Sequence, residues 1–415
     1  MSEGPGHESG DAYLARTDNQ DVSRRVVYGV TVGVSALKLL RGQLQWLGAQ
    51  GWDVKLVTTP DEDAHAAALR EGTELYPLPM SRRISPVADC VALWRWVRLL
   101  SCLKPAVVNV STPKAGLLGG IAAWLTRIPR RVYVVRGLRL EGAKGPLSSI
   151  LWLTEWLSMK VATDVLFVSQ SLAREADSRR LLSRRKSWVI GAGSSNGVDA
   201  RAVEVRVESV NRDEIRVSLD LNRDDFVVGF IGRIARDKGL ETLVHAFSEE
   251  LLDSRVRLLC IGAAEDENLT NMVRALGDKV RFVPWTNDVW GYLPALDVLC
   301  LPTLREGFPN VVLEAAAAGI PAITTRATGA IDSVVDDQTG FLIDVGDADA
   351  LVEKINLLAG SQETAKRLGS AAKQRVLSEF QQERIWQGIA EILSGTTNTC
   401  SANRIIGLTT DGENK

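Results

Sequence analysis

Short β-branched runs alternate with longer helical patterns along this chain, and the whole series occurs twice. In the first half the runs are RVVYGV (25–30), DVKLVT (53–58), AVVNV (106–110), RVYVV (131–135) and DVLFVS (164–169). Stretches of helical character lie between them, near 36–50, 87–103, 114–126, 148–162 and 170–183. Strands apolar on both faces belong to a parallel sheet that helices cover on each side, so the fold class is α/β. After SWVI (187–190) comes GAGSSNGVD, whose glycines, serines and asparagine mark a hinge. The series then restarts with DFVVGFIG (225–232), a helix over 238–250, VRLLCIG (256–262), KVRFV (279–283), DVLCLP (297–302) and AITT (322–325). Two long helices follow, near 361–378 and 381–394.

A chain of 415 residues is too long for one ordinary core and suits two domains of roughly 150 to 200 residues. The expected division is a disordered leader over 1–24, a first Rossmann-like domain over 25–198 and a second over 199–378. A closing helix over 379–394 packs back on the first domain, and a loose tail occupies 395–415. Two such domains face each other across a cleft, with ligands at the carboxyl ends of their strands. The leader lacks the apolar stretch of a secretory signal. The most continuous apolar run of the first half, AGLLGGIAAWL at 115–125, falls well short of the roughly twenty residues of a spanning helix. Both features point to the cytoplasm.

The formal net charge of −2 conceals an asymmetry. Residues 25–198 carry 24 Lys and Arg against 12 Asp and Glu, whereas 199–415 carry 23 against 34. A basic half and an acidic half suit two domains with different partners. The five cysteines and three histidines show no metal-ligand spacing and no disulfide framework.

The strongest local constellation is GRIARDKG, Gly232 to Gly239, directly after the first strand of the second domain. A glycine lets the chain turn, and Arg233 and Lys238 then bring two cations to a helix start, which suits a diphosphate. The alternative is a pair of ordinary surface cations on a loop. Farther on, DVLCLP runs into TLREGFPNVVLEAAAAGIP, with Glu306 in the loop and Glu314 eight residues later. Pro309 stands at the expected helix start, which leaves backbone N–H groups around Gly307, Phe308 and Asn310 free. Glu314 lies just over a turn into that helix and can face the same mouth, where a carboxylate that accepts two hydroxyl hydrogens holds a ribose. Taken alone, two glutamates at such a place are solvated acids favoured by the helix dipole.

Together with TGAIDSVVDDQTGFLI, these two segments resemble glycosyltransferase family 4. LLRGQL (39–44), STPKAGLLGG (111–120), VRGLRLEG (135–142) and SSNGVD (194–199) resemble the branch that builds capsular, exopolysaccharide and lipid-linked bacterial glycans. The resemblance runs from about 25 to 394 and implies the GT-B fold, with a retaining transfer from a nucleotide-diphosphate sugar. A UDP-sugar is the expected co-substrate, with no metal or other cofactor. The resemblance further implies that Arg233 and Lys238, beside Gly232, bind the donor diphosphate, that Glu314 binds the ribose and that Glu306 binds the sugar. Backbone at Gly307, Phe308, Pro309 and Asn310 would face phosphate and sugar, and Val283 to Trp285 lie where relatives hold the base. Catalysis would fall to Glu306, Arg233 and Lys238, and Gly33, Lys114, Arg136 and Glu141 are candidate acceptor-binding residues. Arg136 replaces the histidine many relatives carry, and TVGVSALKLLRG replaces their double glycine.

Asp61-Glu62-Asp63 and Asp347-Ala348-Asp349 mimic a metal-binding motif, but both precede helical stretches and read as helix-start acids. Gly191-Ala192-Gly193 lacks the helix and spacing of a dinucleotide fingerprint and reads as hinge. Eight of eleven tryptophans lie in the basic half: Trp46, Trp52, Trp94, Trp96, Trp124, Trp152, Trp156 and Trp188. In PVADCVALWRWVRLLSCLK apolar residues occur nearly all round, so Trp94, Arg95, Trp96 and Arg98 suit either an anionic membrane surface or a buried helix.

The resulting expectation is a metal-independent hexosyl- or N-acetylhexosaminyl-transferase, peripheral on the inner face of the cell membrane. Its acidic domain binds the donor and its basic domain a polyprenyl-diphosphate-linked sugar. A soluble small-molecule acceptor and a catalytically silent sugar-nucleotide-binding scaffold are the alternatives. Nucleic acid has no motif behind it.

Overall fold

The computed structural model describes residues 24–181 and 187–396 together with the backbone of 402–404. The expected leader, apart from Arg24, lies outside the described residues, as does most of the expected tail. In the first sheet β1 (Arg25–Gly29), β2 (Asp53–Thr58), β3 (Glu74–Pro77), β4 (Val107–Ser111), β5 (Arg130–Val135), β6 (Asp164–Phe167) and β7 (Ser187–Ile190) run parallel. Their order is β7-β6-β5-β4-β1-β2-β3. The second sheet contains β8 (Phe226–Ile231), β9 (Val256–Gly262), β10 (Val280–Pro284), β11 (Val298–Leu301), β12 (Ala322–Thr325) and β13 (Gly340–Ile343). It is also parallel, in the order β10-β9-β8-β11-β12-β13. Every residue of β1, β4, β7, β11, β12 and β13 is buried, because helices cover both faces of each sheet.

Strand order reverses between β1 and β4 in one sheet and between β8 and β11 in the other. Such switch points open a crevice at the carboxyl ends of the strands. The loops after β1, β4 and β5 meet the loops after β8 and β11 there.

Three strands depart from the sequence reading. β3 is a partly exposed edge strand, and β13 is only four residues long, so neither shows a run of the expected kind. β14 (Ala402–Arg404), within the segment expected to be loose, pairs antiparallel with β7. An open sheet edge offers unpaired N–H and C=O groups to any extended segment, so no side-chain periodicity announces such a strand.

The helical stretch expected over 36–50 is two helices, Gly33–Leu39 and Gln43–Ala49. The N–H groups of Gly42, Leu44 and Gln45 at the start of the second donate to the buried carboxylate of Glu71, at 2.9, 3.1 and 3.3 Å. This cap comes from a distant helix and fixes the bend that carries Lys38, Leu39 and Arg41.

The chain crosses between the halves twice, side by side. On the way out the Ser194 N–H donates to the Val168 carbonyl at 2.7 Å, and the Val198 N–H donates to the Phe380 carbonyl of the return crossing at 2.9 Å. The returning helix, Gln382–Ser394, packs on the Gln43–Ala49 helix, β5 and β7. Its Trp386 ring lies 6.0 Å from that of Trp46.

The Pro86–Leu103 helix buries Ala92, Trp96, Leu100 and Leu103, and the Trp96 indole donates to the Met80 sulfur at 3.5 Å. Trp96 is therefore core and not surface, a correction to the membrane-facing reading; the exposed large apolar residues of the helix are Val87, Val91 and Trp94. Trp152 and Trp156 stack on each other, half-buried, and the Trp152 indole is held by the Arg179 carbonyl at 2.9 Å. No helix among the described residues is long and apolar enough to cross a membrane.

Candidate functional site

Gly232 follows β8 and leads through Arg233 into a short 3-10 turn, Arg236–Lys238, and then the Leu240–Ser248 helix. Gly239 between them has φ 71°, and a Cβ there would lie 1.7 Å from the Pro302 carbonyl oxygen. Only glycine lets this loop pack directly on the end of β11. That packing brings Lys238 to Glu306, with Nζ 2.5 Å from Oε1 and side-chain exposures of 17% and 13%. Arg233 is about half exposed and sits between Glu265 at 2.5 Å and Asp237 at 3.2 Å.

The Glu306 N–H donates to the Thr328 carbonyl at 2.8 Å. Gly307 next to it touches the other half, since a Cβ would fall 2.0 Å from the Arg136 carbonyl oxygen. Phe308 buries its ring against Phe380 at 5.5 Å, so it offers the cleft its backbone. Pro309 precedes the Asn310–Ala317 helix and supplies no side-chain cap. The first turn of that helix therefore keeps N–H groups for a ligand. Asn310 lines the cleft, and its Oδ1 is buried without a hydrogen-bond partner.

Glu314 lies partly buried in the same helix. Burial lifts its carboxyl to about 7, against a hydrogen bond from Trp290 and the charge of Arg41. Arg41 comes from the first half, with Cζ 5.5 Å from the Trp290 ring centroid. Lys38 similarly places Nζ 4.0 Å from the ring centroid of the exposed Trp285, which follows Val283 at the end of β10. The Asn196 side chain of the crossing donates to the Arg41 carbonyl at 2.8 Å and accepts from the Trp386 indole at 2.7 Å. Sequence reasoning missed Lys38, Arg41, Asn196, Trp290 and Trp386 as parts of a site; the LLRGQL and SSNGVD segments were the signal for two of them, Arg41 and Asn196.

A chamber of about 300 Å³ between the halves is lined by Arg136, Ser195, Lys238, Glu306 and Asn310 among others. A second of about 300 Å³ shares Arg136, Lys238 and Glu306 and adds Tyr133, Glu141, Arg233 and Arg305. Arg136 donates to the Ser195 carbonyl at 3.0 Å and to the Ser195 hydroxyl, while its Nε is buried without a partner. Burial pushes its guanidinium down to about 10.

The structure thus brings Gly307, Arg136, Glu141, Arg233, Lys238 and Glu306 around one cleft. Gly33 and Lys114 line neither chamber. The Gly33 N–H donates to Asp61 at 3.1 Å, and Lys114 pairs with Asp89 at 2.6 Å and with the Arg83 carbonyl. Asp61 and Asp347 cap helices through the N–H groups of Ala64 and Ala350, as their positions suggest. Two cations and an open helix start beside carboxylates make a site for an anionic diphosphate that carries hydroxyl-rich groups.

Residues 211–375 match the family model described as glycosyl transferases group 1, and residues 38–193 match the glycosyl transferase 4-like domain. The capsular polysaccharide biosynthesis glycosyltransferase CapM of Staphylococcus aureus is 36% identical over 372 residues, which cover 88% of this chain and 95% of that protein. The UDP-Gal:alpha-D-GlcNAc-diphosphoundecaprenol alpha-1,3-galactosyltransferase of Escherichia coli is 29% identical over 295 residues, 66% of this chain and 72% of that protein. Among solved structures, Anabaena HepE in complex with UDP-glucose matches with a TM-score of 0.74 at 19% identity, over 89% of this chain and 99% of that one. That likeness is one of fold, the GT-B architecture.

Proposed function

The chain belongs to glycosyltransferase family 4 as a GT-B glycosyltransferase of capsular or surface-glycan assembly, and we propose that it moves a sugar from a UDP-sugar to a polyprenyl-diphosphate-linked sugar with retention of anomeric configuration. The observation that carries this reading is the Lys238–Glu306 pair, with Arg233 beside it, in a cleft that both halves line. Arg233 and Lys238 neutralise the diphosphate in the bound donor and as it departs, and the open start of the Asn310–Ala317 helix adds N–H donors. Glu306 holds the hexosyl or N-acetylhexosaminyl group and Glu314 the ribose, with Trp285 near the base. Two fixed cations and a helix start supply the charge stabilisation that a divalent metal gives elsewhere, so transfer proceeds without one.

The acidic 199–378 region is the donor domain and the basic 25–198 region the acceptor domain, a division supported by family models that end at 193 and begin at 211. The lipid-linked acceptor is supported by the name of the Escherichia coli relative and by the charge of the first half. Exposed Val87, Val91 and Trp94, with Arg95 and Arg98 beside them, give that half a face for an anionic membrane on its cytoplasmic side. A soluble acceptor is the second reading, favoured by the burial of Trp96 and the self-stacking of Trp152 and Trp156.

The test is transfer to a lipid-linked acceptor in the presence of a chelator, with the product's anomeric configuration read by NMR. Retained configuration and undiminished rate support the proposal. An inverted product, or strict dependence on Mg²⁺ or Mn²⁺, defeats it.

A further inference from the structure

Three arginines line the second chamber besides Arg233: Arg136 and Arg139 on the loop after β5, and Arg305 on the facing loop after β11. None of the three pairs with a carboxylate within 4 Å among the described residues. Arg136 donates to the neutral carbonyl and hydroxyl of Ser195, and its Nε is buried without a partner. Arg305 donates to the Leu138 carbonyl at 3.3 Å. A Cβ at Gly142 would lie 3.4 Å from the Arg305 Cζ, and one at Gly307 would lie 2.0 Å from the Arg136 carbonyl oxygen. Close contacts between the two loops, and not acids, therefore hold these guanidiniums at the chamber.

The acids of the chamber are Asp237, Glu306 and Glu141. Asp237 is paired with Arg233 and Glu306 with Lys238, so only Glu141 remains. Burial, then repulsion from Glu175, lifts its carboxyl to about 7, while Arg305, Arg179 and a hydrogen bond from Thr328 act in the opposite sense. Glu155, which feels the charge of Arg139, lies buried behind Tyr133 and does not line the chamber. Three unpaired cations against one unpaired acid leave an excess of two positive charges even with Glu141 ionised. A guanidinium enclosed without a counter-ion is costly, so the chamber calls for an anion from a ligand. Arg233 and Lys238 are already assigned to the donor diphosphate, which leaves this excess for a second anion. A diphosphate that joins a lipid to a sugar carries two negative charges at neutral pH, and a carboxylate carries one.

We propose that Arg136, Arg139 and Arg305 form a second oxyanion site in the cleft, which takes the diphosphate of the acceptor while Arg233 and Lys238 hold that of the donor; this role rests on the transferase reading above. Planar guanidinium forks match phosphate oxygens in pairs, which suits arginine at all three places. Because Arg305 belongs to the second half, both halves grip the acceptor. The charged head, and not the length of the lipid, is then what the cleft recognises.

The test is calorimetry on the full chain saturated with UDP, which keeps the donor site filled. The probe is farnesyl diphosphate, a short polyprenyl diphosphate without a sugar, compared with farnesyl monophosphate, farnesol and octyl glucuronide. Wild type should bind the diphosphate at least about tenfold more tightly than any of the other three, the scale of one hydrogen bond between charged groups. Arg136→Gln, Arg139→Gln and Arg305→Gln should each weaken the diphosphate by about tenfold or more, with farnesol unchanged and UDP affinity within about twofold of wild type. Arg139 is exposed and its side chain makes no hydrogen bond among the described residues, so its loss leaves the fold intact. Arg139→Lys keeps the charge and should recover part of the affinity, which a purely structural role would not require.

Equal affinity for farnesyl diphosphate and farnesol, or diphosphate binding that survives both Arg139→Gln and Arg305→Gln, overturns the proposal. Octyl glucuronide bound as tightly as the diphosphate, and lost in the same variants, makes the site a reader of carboxylates and also overturns it. Wild-type transfer to a lipid-linked acceptor whose KM is the same in all three variants overturns this proposal alone. Wild type that binds the diphosphate through the arginines but transfers to no lipid-linked acceptor supports the second oxyanion site and defeats the transferase reading, which separates the two failures.

Discussion

Lys238 and Glu306 lie 68 residues apart in sequence and meet in a 2.5 Å ion pair at the junction of the loops after β8 and β11. Because both are largely buried, removal of one leaves the other without its partner. Lys238→Ala should therefore lose about 2–4 kcal/mol of transition-state stabilisation, read as kcat/KM. Glu306→Gln should spare UDP binding and weaken the intact UDP-sugar, because its proposed contact is with the transferred sugar. The double variant should lose less than the sum of the two, since the groups are coupled. Additive losses in a double-mutant cycle would show that the pair does not act as a unit.

On the proposed reading Glu314 sets a pH dependence for nucleotide binding. Ribose hydroxyls would donate to its ionised form, while burial lifts the free protein's carboxyl to about 7. UDP affinity should fall as pH drops below about 7, by at most tenfold per unit for a single proton. Glu314→Gln should bind UDP weakly at pH 8 and lose this slope in calorimetry. Without ligand the sign reverses: the folded protein keeps a proton that an unfolded glutamate gives up near 4.3. Glu314 therefore favours the folded state at low pH and loses that contribution as pH rises through about 7. Denaturant titrations of Glu314→Gln should show a smaller decline in stability between pH 5 and 8 than wild type.

Arg41 over Trp290 joins the first half to Glu314. Arg41→Ala should weaken UDP binding by about 0.5–2 kcal/mol, the range of a cation–π contact. Trp290→Phe keeps a ring but removes the N–H that lowers the Glu314 pKa, so the pH profile of UDP binding should move upward. A profile unchanged in Trp290→Phe would break the link between these residues.

The residues proposed for the donor side were legible in the sequence because each cluster lies within one short segment at a strand end. Arg233 and Lys238 share a loop, and Glu306 and Glu314 share a loop and the helix it enters. Arg41, Asn196, Trp290 and Trp386 come from four segments that meet only once the halves dock, so no local spacing marks them. The two-sheet architecture was legible from strands buried on both faces. β14 was not, since edge pairing selects backbone and not side chains. Trp94 and Trp96 differ for a related reason: on a helix apolar nearly all round, only the packed neighbours decide which face is core.

That difference is testable. Trp96→Ala should destabilise the protein by about 3–5 kcal/mol, as expected for a buried large aromatic. Trp94→Ala, at a site 60% exposed, should change stability by no more than about 0.5 kcal/mol. It should instead reduce co-flotation with vesicles that contain anionic lipid, and high salt should release much of the wild type. If wild type fails to float at low salt, the soluble-acceptor reading moves ahead.

The most direct measurement is a mass-spectrometric transfer assay of the purified protein with a panel of UDP- and GDP-sugars and polyprenyl-diphosphate-linked acceptors, repeated with Lys238→Ala and Glu306→Gln. The account predicts that wild type yields a glycosylated lipid and free UDP from a UDP-sugar, and that both variants lose most of that product while remaining folded. No product from any donor, or undiminished product from both variants, would contradict it.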